Sequence, residues 1–140
     1  MRRLLSAAAL LLLAACSGEM TSSATTGVAV QLDRAEYDRG ATGEAPVRFT
    51  VTNHTSGTVS LQWCGGVGAE MQLLSDGRWL TTLAASCLAV YEPVTLAPGQ
   101  SADGTVFAPG PAGTYRLRVT YGAPGPAMAR EALSPSFQLR

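Results

Sequence analysis

From Gly27 onward, apolar and polar residues alternate in short runs. Val28, Val30 and Leu32 are separated by Ala29 and Gln31, and Val47, Phe49 and Val51 by Arg48 and Thr50. Val59, Leu61 and Trp63 alternate with Ser60 and Gln62, and Tyr115, Leu117, Val119 and Tyr121 with Arg116, Arg118 and Thr120. A period of two puts every second side chain on the same face, so each run reads as a strand with one face in a core and one in water. Trp63 falls on the inward set. Between the runs lie residues that turn the chain: Asn53 to Gly57, Asp76-Gly77, Pro98-Gly99 and Pro111 to Gly113. Asp76-Gly77 is a hairpin signal, joining Met71–Leu74 to Trp79–Leu83. Weaker strands follow around Ala102 to Phe107 and at Ser136 to Leu139. No stretch of this region holds a helical stripe over ten residues. Seven or eight short antiparallel strands at this spacing predict an all-β sandwich of two sheets.

The first residues follow a different pattern. Arg2 and Arg3 precede an apolar run from Leu4 to Ala15, interrupted only by Ser6, which is too short to cross a bilayer and matches the apolar region of a signal peptide. The run ends in Leu13-Ala14-Ala15-Cys16, which resembles the lipobox of bacterial lipoproteins. That resemblance implies cleavage before Cys16 and lipid on its thiol and amino group. An ordinary secretory signal carrying a chance cysteine is the other reading. The expected organisation is a leader at 1–15, a lipidated polar tether at 16–26 and one folded domain at 27–140. The tether residues are too small and polar to bury a core of their own. Ser17, where an inner-membrane lipoprotein commonly has Asp, favours an outer membrane.

Charge adds mainly exclusions. The chain has ten arginines and no lysine against ten acidic residues, so losing Arg2 and Arg3 leaves a net charge of −2. The charges are scattered singly, and no basic stripe is available for nucleic acid. With Cys16 assigned to lipid, Cys64 and Cys87 remain as a pair in an oxidising compartment, where a disulfide persists. Closing a loop of about two dozen residues would stabilise the fold by about 3 kcal/mol. A metal or redox thiol pair is the alternative. The wide spacing is unlike Cys-x-x-Cys, and His54 as sole histidine leaves a soft-metal site short of ligands.

Several segments resemble bacterial immunoglobulin-like domains. Phe49-Thr50-Val51-Thr52-Asn53 followed by Thr55 is similar to their "F-x-V-x-N-x-T" strand, and Asp76-Gly77-Arg78-Trp79 to their "dG-x-W" hairpin. Leu96-Ala97-Pro98-Gly99-Gln100-Ser101 matches "L-x-PG-x-s", and Gly113-Thr114-Tyr115-Arg116-Leu117 matches "G-x-Y-R-l". The order holds across nearly all of 27–140, and a similar layout occurs in the intracellular proteinase inhibitor family. The resemblance implies an immunoglobulin-like sandwich and leaves function open. Tyr115, just after a Pro/Gly corner, resembles the tyrosine corner of such folds, with a structural role.

Chemistry-bearing positions are sparse. His54 falls in a turn with no nucleophile motif nearby, and Asn53-His54-Thr55 matches the N-glycosylation pattern. Gly65-Gly66-Val67-Gly68 lacks the Lys-Ser/Thr of a phosphate loop. Asp33, Glu36 and Asp38 are interrupted by arginines, which disfavours calcium. Trp79 reads first as a rim residue covering the core, with a small contact surface shared with Arg78 as the alternative. No catalytic set, cofactor or metal is expected. The chain reads as a membrane-anchored extracytoplasmic lipoprotein acting as a non-enzymatic binding, adhesion or scaffold module. Its expected partners are the membrane, through the N-terminal lipid, and an envelope protein or polysaccharide. A proteinase-inhibitor-like protein is the first alternative and a small envelope hydrolase the second. If Cys64 and Cys87 are paired, thiol labelling of unfolded, unreduced protein leaves both unmodified; labelling of both defeats the pairing.

Overall fold

The structure, a computed structural model, describes residues 27–63, 65–84, 92–125 and 130–140. Cys16, Cys64 and Cys87, with the leader and tether, lie outside the described residues. Eleven strands run in chain order: β1 (Val28–Leu32), β2 (Glu36–Tyr37), β3 (Glu44–Asn53), β4 (Val59–Trp63), β5 (Glu70–Ser75), β6 (Arg78–Leu83), β7 (Glu92–Leu96), β8 (Ser101–Pro109), β9 (Gly113–Gly122), β10 (Arg130–Leu133) and β11 (Phe137–Leu139). They form a three-stranded sheet, β1-β3-β8, and an eight-stranded sheet built around β9. The predicted all-β, two-sheet sandwich is what the chain forms.

The strand count exceeds the expected seven or eight for a geometric reason. β9 is ten residues long, and short strands pair with it in succession. On one flank β4 meets Tyr121–Gly122 and β5 meets Tyr115–Arg118; on the other, β10 meets Arg118–Tyr121 and β11 meets Gly113–Tyr115. Outer strands extend these, β7 on β4, β6 on β5 and β2 on β11. The β2–β11 pair is parallel, so the strands are not all antiparallel. A two-residue strand carries no readable alternation, and β10 reads Arg-Glu-Ala-Leu with one buried side chain.

Inward side chains of both sheets make one core, with Val30, Val47 and Val51 from the small sheet and Leu61, Met71, Leu117 and Val119 from the large one. At one end Tyr115 stacks on Phe137 with centroids 5.9 Å apart, and Tyr37 meets Phe137 edge-on at 5.3 Å. The Tyr115 hydroxyl donates to the Pro111 carbonyl at 2.9 Å, the bond a tyrosine corner makes. Burial raises the pKa of that phenol. Ser60 departs from the expected alternation. It is buried beside Val59 and Leu61, and its Oγ has no hydrogen-bond partner among the described residues.

At the opposite end Asn53 joins the sheets. Its buried carboxamide donates to the carbonyls of Gly57 at 2.8 Å and Leu96 at 2.9 Å. Its Oδ1 accepts from the Thr55 amide and hydroxyl, at 2.9 and 2.7 Å. Its backbone N–H donates to Gln100, and its carbonyl accepts from Gly99. Gly99 has φ +79°, a conformation that glycine adopts without a Cβ penalty. The turn between β7 and β8 is therefore fastened to the last residue of β3.

From that joint β8 pairs with β3 in unbroken register, Thr52↔Ser101 through Glu44↔Pro109. Phe49 lies directly opposite Gly104, its ring covering the bare glycine, and a Cβ there would come within 2.3 Å of the ring. Gly104→Ala forces this ring out of place. We expect a loss of about 1–3 kcal/mol in denaturant unfolding, as overpacking of a filled core costs; unchanged stability would show that the ring moves freely.

Candidate functional site

Two surface regions collect side chains able to recognise a partner. The first is the outer face of the large sheet. Arg116 and Arg118 point outward from β9, and β5 sets Gln72 and Glu70 directly opposite them. Arg116 Nε donates to Gln72 Oε1 at 2.8 Å, and its guanidinium lies 4.3 Å from the centroid of the Trp79 ring on β6. A cation over an indole face is attracted by the ring quadrupole. Arg118 is held by Glu70 on one side and Glu131 on the other, the latter at 3.1 Å. The bond to Glu70 keeps its pKa above the usual guanidinium range. Arg116 has no carboxylate partner among the described residues, so its charge is balanced only by an amide and a ring.

Arg78 and Trp79 do not form the small surface their adjacency suggested. Consecutive residues of a strand face opposite sides of the sheet. Trp79 instead meets Arg116, which is remote in sequence and two strands away in the sheet. Leu74 and Leu133 are also partly exposed on this face.

The second region is a cleft of about 720 Å³ between the large sheet and the edge of β8, which has no second neighbouring strand among the described residues. Asp103 through Phe107 line one side, and Gly65 through Ala69, with Leu83, line the other. Trp63 stands half-buried at its inner end, packed against the core. The glycine run noted in the sequence thus forms a wall of this cleft. A smaller depression of about 340 Å³ lies over the small sheet near Arg48 and Thr50. There Thr50 Oγ1 donates to Asp103 Oδ1 at 2.7 Å, and Thr52 and Ser101 share a 2.8 Å hydroxyl bond.

The remaining sequence candidates serve the fold. The Asn53 carboxamide is buried with both donors engaged, so a glycan cannot be attached without dismantling the joint. His54 is exposed beside it, and its backbone N–H donates to Gly27. The acidic trio is dispersed. Asp33 pairs with Arg34 and accepts from the Tyr37 hydroxyl at 2.6 Å, while Glu36 pairs with Arg140. Burial raises the Asp33 pKa, but the bonds from Tyr37 and Arg34 outweigh it and the net shift is downward. Burial, then the Asp33 bond, raises Tyr37 well above the usual phenol range. Among the described residues no cluster of three or more His, Cys, Asp or Glu could hold a metal ion.

No family model and no curated protein sequence matches the chain. Among solved structures it is similar to a β-glucosidase from Listeria innocua in complex with laminaribiose, at a TM-score of 0.38 and 12% identity over 82% of this chain. The chain spans 16% of that enzyme's length. The ASH/PapD-like domain 7 of human CEP192 is similar over 98% of this chain and 94% of that one, at 19% identity and a TM-score of 0.34. The fold is an all-β sandwich of two sheets.

Proposed function

We propose that the chain is a lipid-anchored, extracytoplasmic binding module of a bacterial envelope, recognising an envelope protein or polysaccharide without catalysing a reaction. The carrying observation is the order of features along the chain. A basic start, an apolar run ending in Leu13-Ala14-Ala15-Cys16 and a small polar stretch lead directly into the sandwich. Lipid on Cys16 would hold the domain at a membrane, and two or more acyl chains hold durably where one does not. Ser17 favours the outer membrane.

The domain suits recognition at such a surface. Its strands hold the Trp79–Arg116 pair on paired sheet rather than on long loops, so the pair is preorganised. Arg116 has capacity for an acceptor, and Trp79 adds apolar area with a fixed orientation.

Cys16→Ser in the native host tests the anchor. The expected result is precursor of unprocessed mass that carries no lipid. Wild-type protein that begins elsewhere and lacks lipid mass would overturn the assignment.

A further inference from the structure

We propose that the outer face of the large sheet around Arg116 binds the carboxylates of an acidic polysaccharide, its uronic-acid chain lying flat across β9, β5 and β6. The proposal rests on the binding-module reading and names its ligand class.

The unused groups select the chemistry. Gln72 is only 5% exposed, and Arg116 Nε donates to its Oε1, which fixes the carboxamide with Nε2 left to donate. Among the described residues, neither that Nε2, nor the Arg116 Nη atoms, nor the Trp79 indole N–H has an acceptor. Guanidinium and indole can donate but not accept. Three neighbouring side chains therefore offer only donors, one of them cationic, and the complement is an acceptor-rich anion.

The charge on this face sets the size of that anion. Glu70 and Glu131 are both engaged by Arg118. The Arg116 guanidinium lies over Trp79, which pairs with Leu74, on the other side of Gln72 from Glu70. At the hairpin tip Asp76 has Arg78 two residues on, so the tip adds no net charge. Arg116 is thus a single uncompensated positive charge. A carboxylate matches it, whereas a phosphate monoester brings about −1.5 to −2.

The shape favours a saccharide over a peptide. Peptides are held at a sheet edge, in an apolar groove, by a cluster of arginines or in a nest of backbone amides. Here the donors are side chains on a sheet face, Arg116 is a lone arginine, and neither cavity includes Gln72, Trp79 or Arg116. A sugar chain needs none of those devices. Its carboxylates and ring hydroxyls reach flat donors, and Leu74, 39% exposed beside Trp79, meets its C–H surface. The described residues bordering 85–91 and 126–129 lie away from the site. Ala84 is five residues past Trp79, and Arg130 is opposite Tyr121, five residues past Arg116. Five residues of strand span about 16 Å.

The probe is a labelled hexamer of galacturonic acid, titrated by fluorescence anisotropy against the full chain purified in detergent at low salt. The expected result is saturable binding, weakened about tenfold or more by methyl-esterifying the hexamer and likewise by Arg116→Gln. Arg116→Lys keeps the charge but loses the planar fork, so it is expected to recover only part of the affinity. The ester comparison uses the wild-type chain and stands whether or not a variant folds. No saturation by about 1 mM hexamer overturns the site, as does equal binding of the ester. Hexaglutamate binding as tightly as the hexamer also overturns it, because the face would then be a peptide site. An envelope partner cross-linked elsewhere on the domain, with no hexamer binding, would overturn this inference and leave the binding-module reading standing.

Discussion

The Asn53 carboxamide is the interaction on which the rest of this sandwich depends. It closes β3 in the small sheet and reaches the Leu96 carbonyl at the end of β7 in the large one. Both amide hydrogens are donated and its Oδ1 accepts two bonds, in a site with no exposure. A buried amide satisfied in this way costs little, and the same amide without partners would cost heavily. Hydrophobic burial supplies most of the driving force and excludes one-residue slips, but it does not distinguish slips of two residues, which keep the same face inward. The Asn53 bonds do, by placing Gln100 and Ser101 at the start of β8.

The consequences run along β8. With its first residue placed, the strand zips against β3 in one register. Gly104 then falls opposite Phe49, and the ring fills the core above the glycine. Tyr115 performs the matching task at the other end, where its hydroxyl holds the Pro111 corner that leads into β9. Arg39 adds to that end by donating to the carbonyls of Arg140 and Gly110, tying the last residue to the β8–β9 turn.

Much of this was legible in the residues. Alternation located the long strands, and Asp76-Gly77 located the β5–β6 hairpin, where Asp76 takes φ +50° and Gly77 φ +74°. Asn53-x-Thr55 and Leu96-x-Pro98-Gly99 were visible as separate signals. Their meeting was not, because the contact spans 43 residues and depends on how the two sheets stack. The same limit hid the Trp79–Arg116 contact, which joins side chains across three neighbouring strands. The two-residue β2 was invisible for another reason, since two residues carry no alternation, and Ser60 is a polar side chain buried between Val59 and Leu61 against the local pattern.

The most direct test is residue-resolved amide hydrogen exchange on Asn53→Ala, read together with its stability. Removing the carboxamide takes its donor from the Leu96 carbonyl and its acceptor from the Thr55 amide and hydroxyl, so the loss should be at least about 2 kcal/mol. Exchange should accelerate first at Gly99, Gln100 and the start of β8, while Leu117 and Val119 in β9 keep their protection down to global unfolding. A variant of unchanged stability, or one whose exchange rises equally in β8 and β9, would contradict the account.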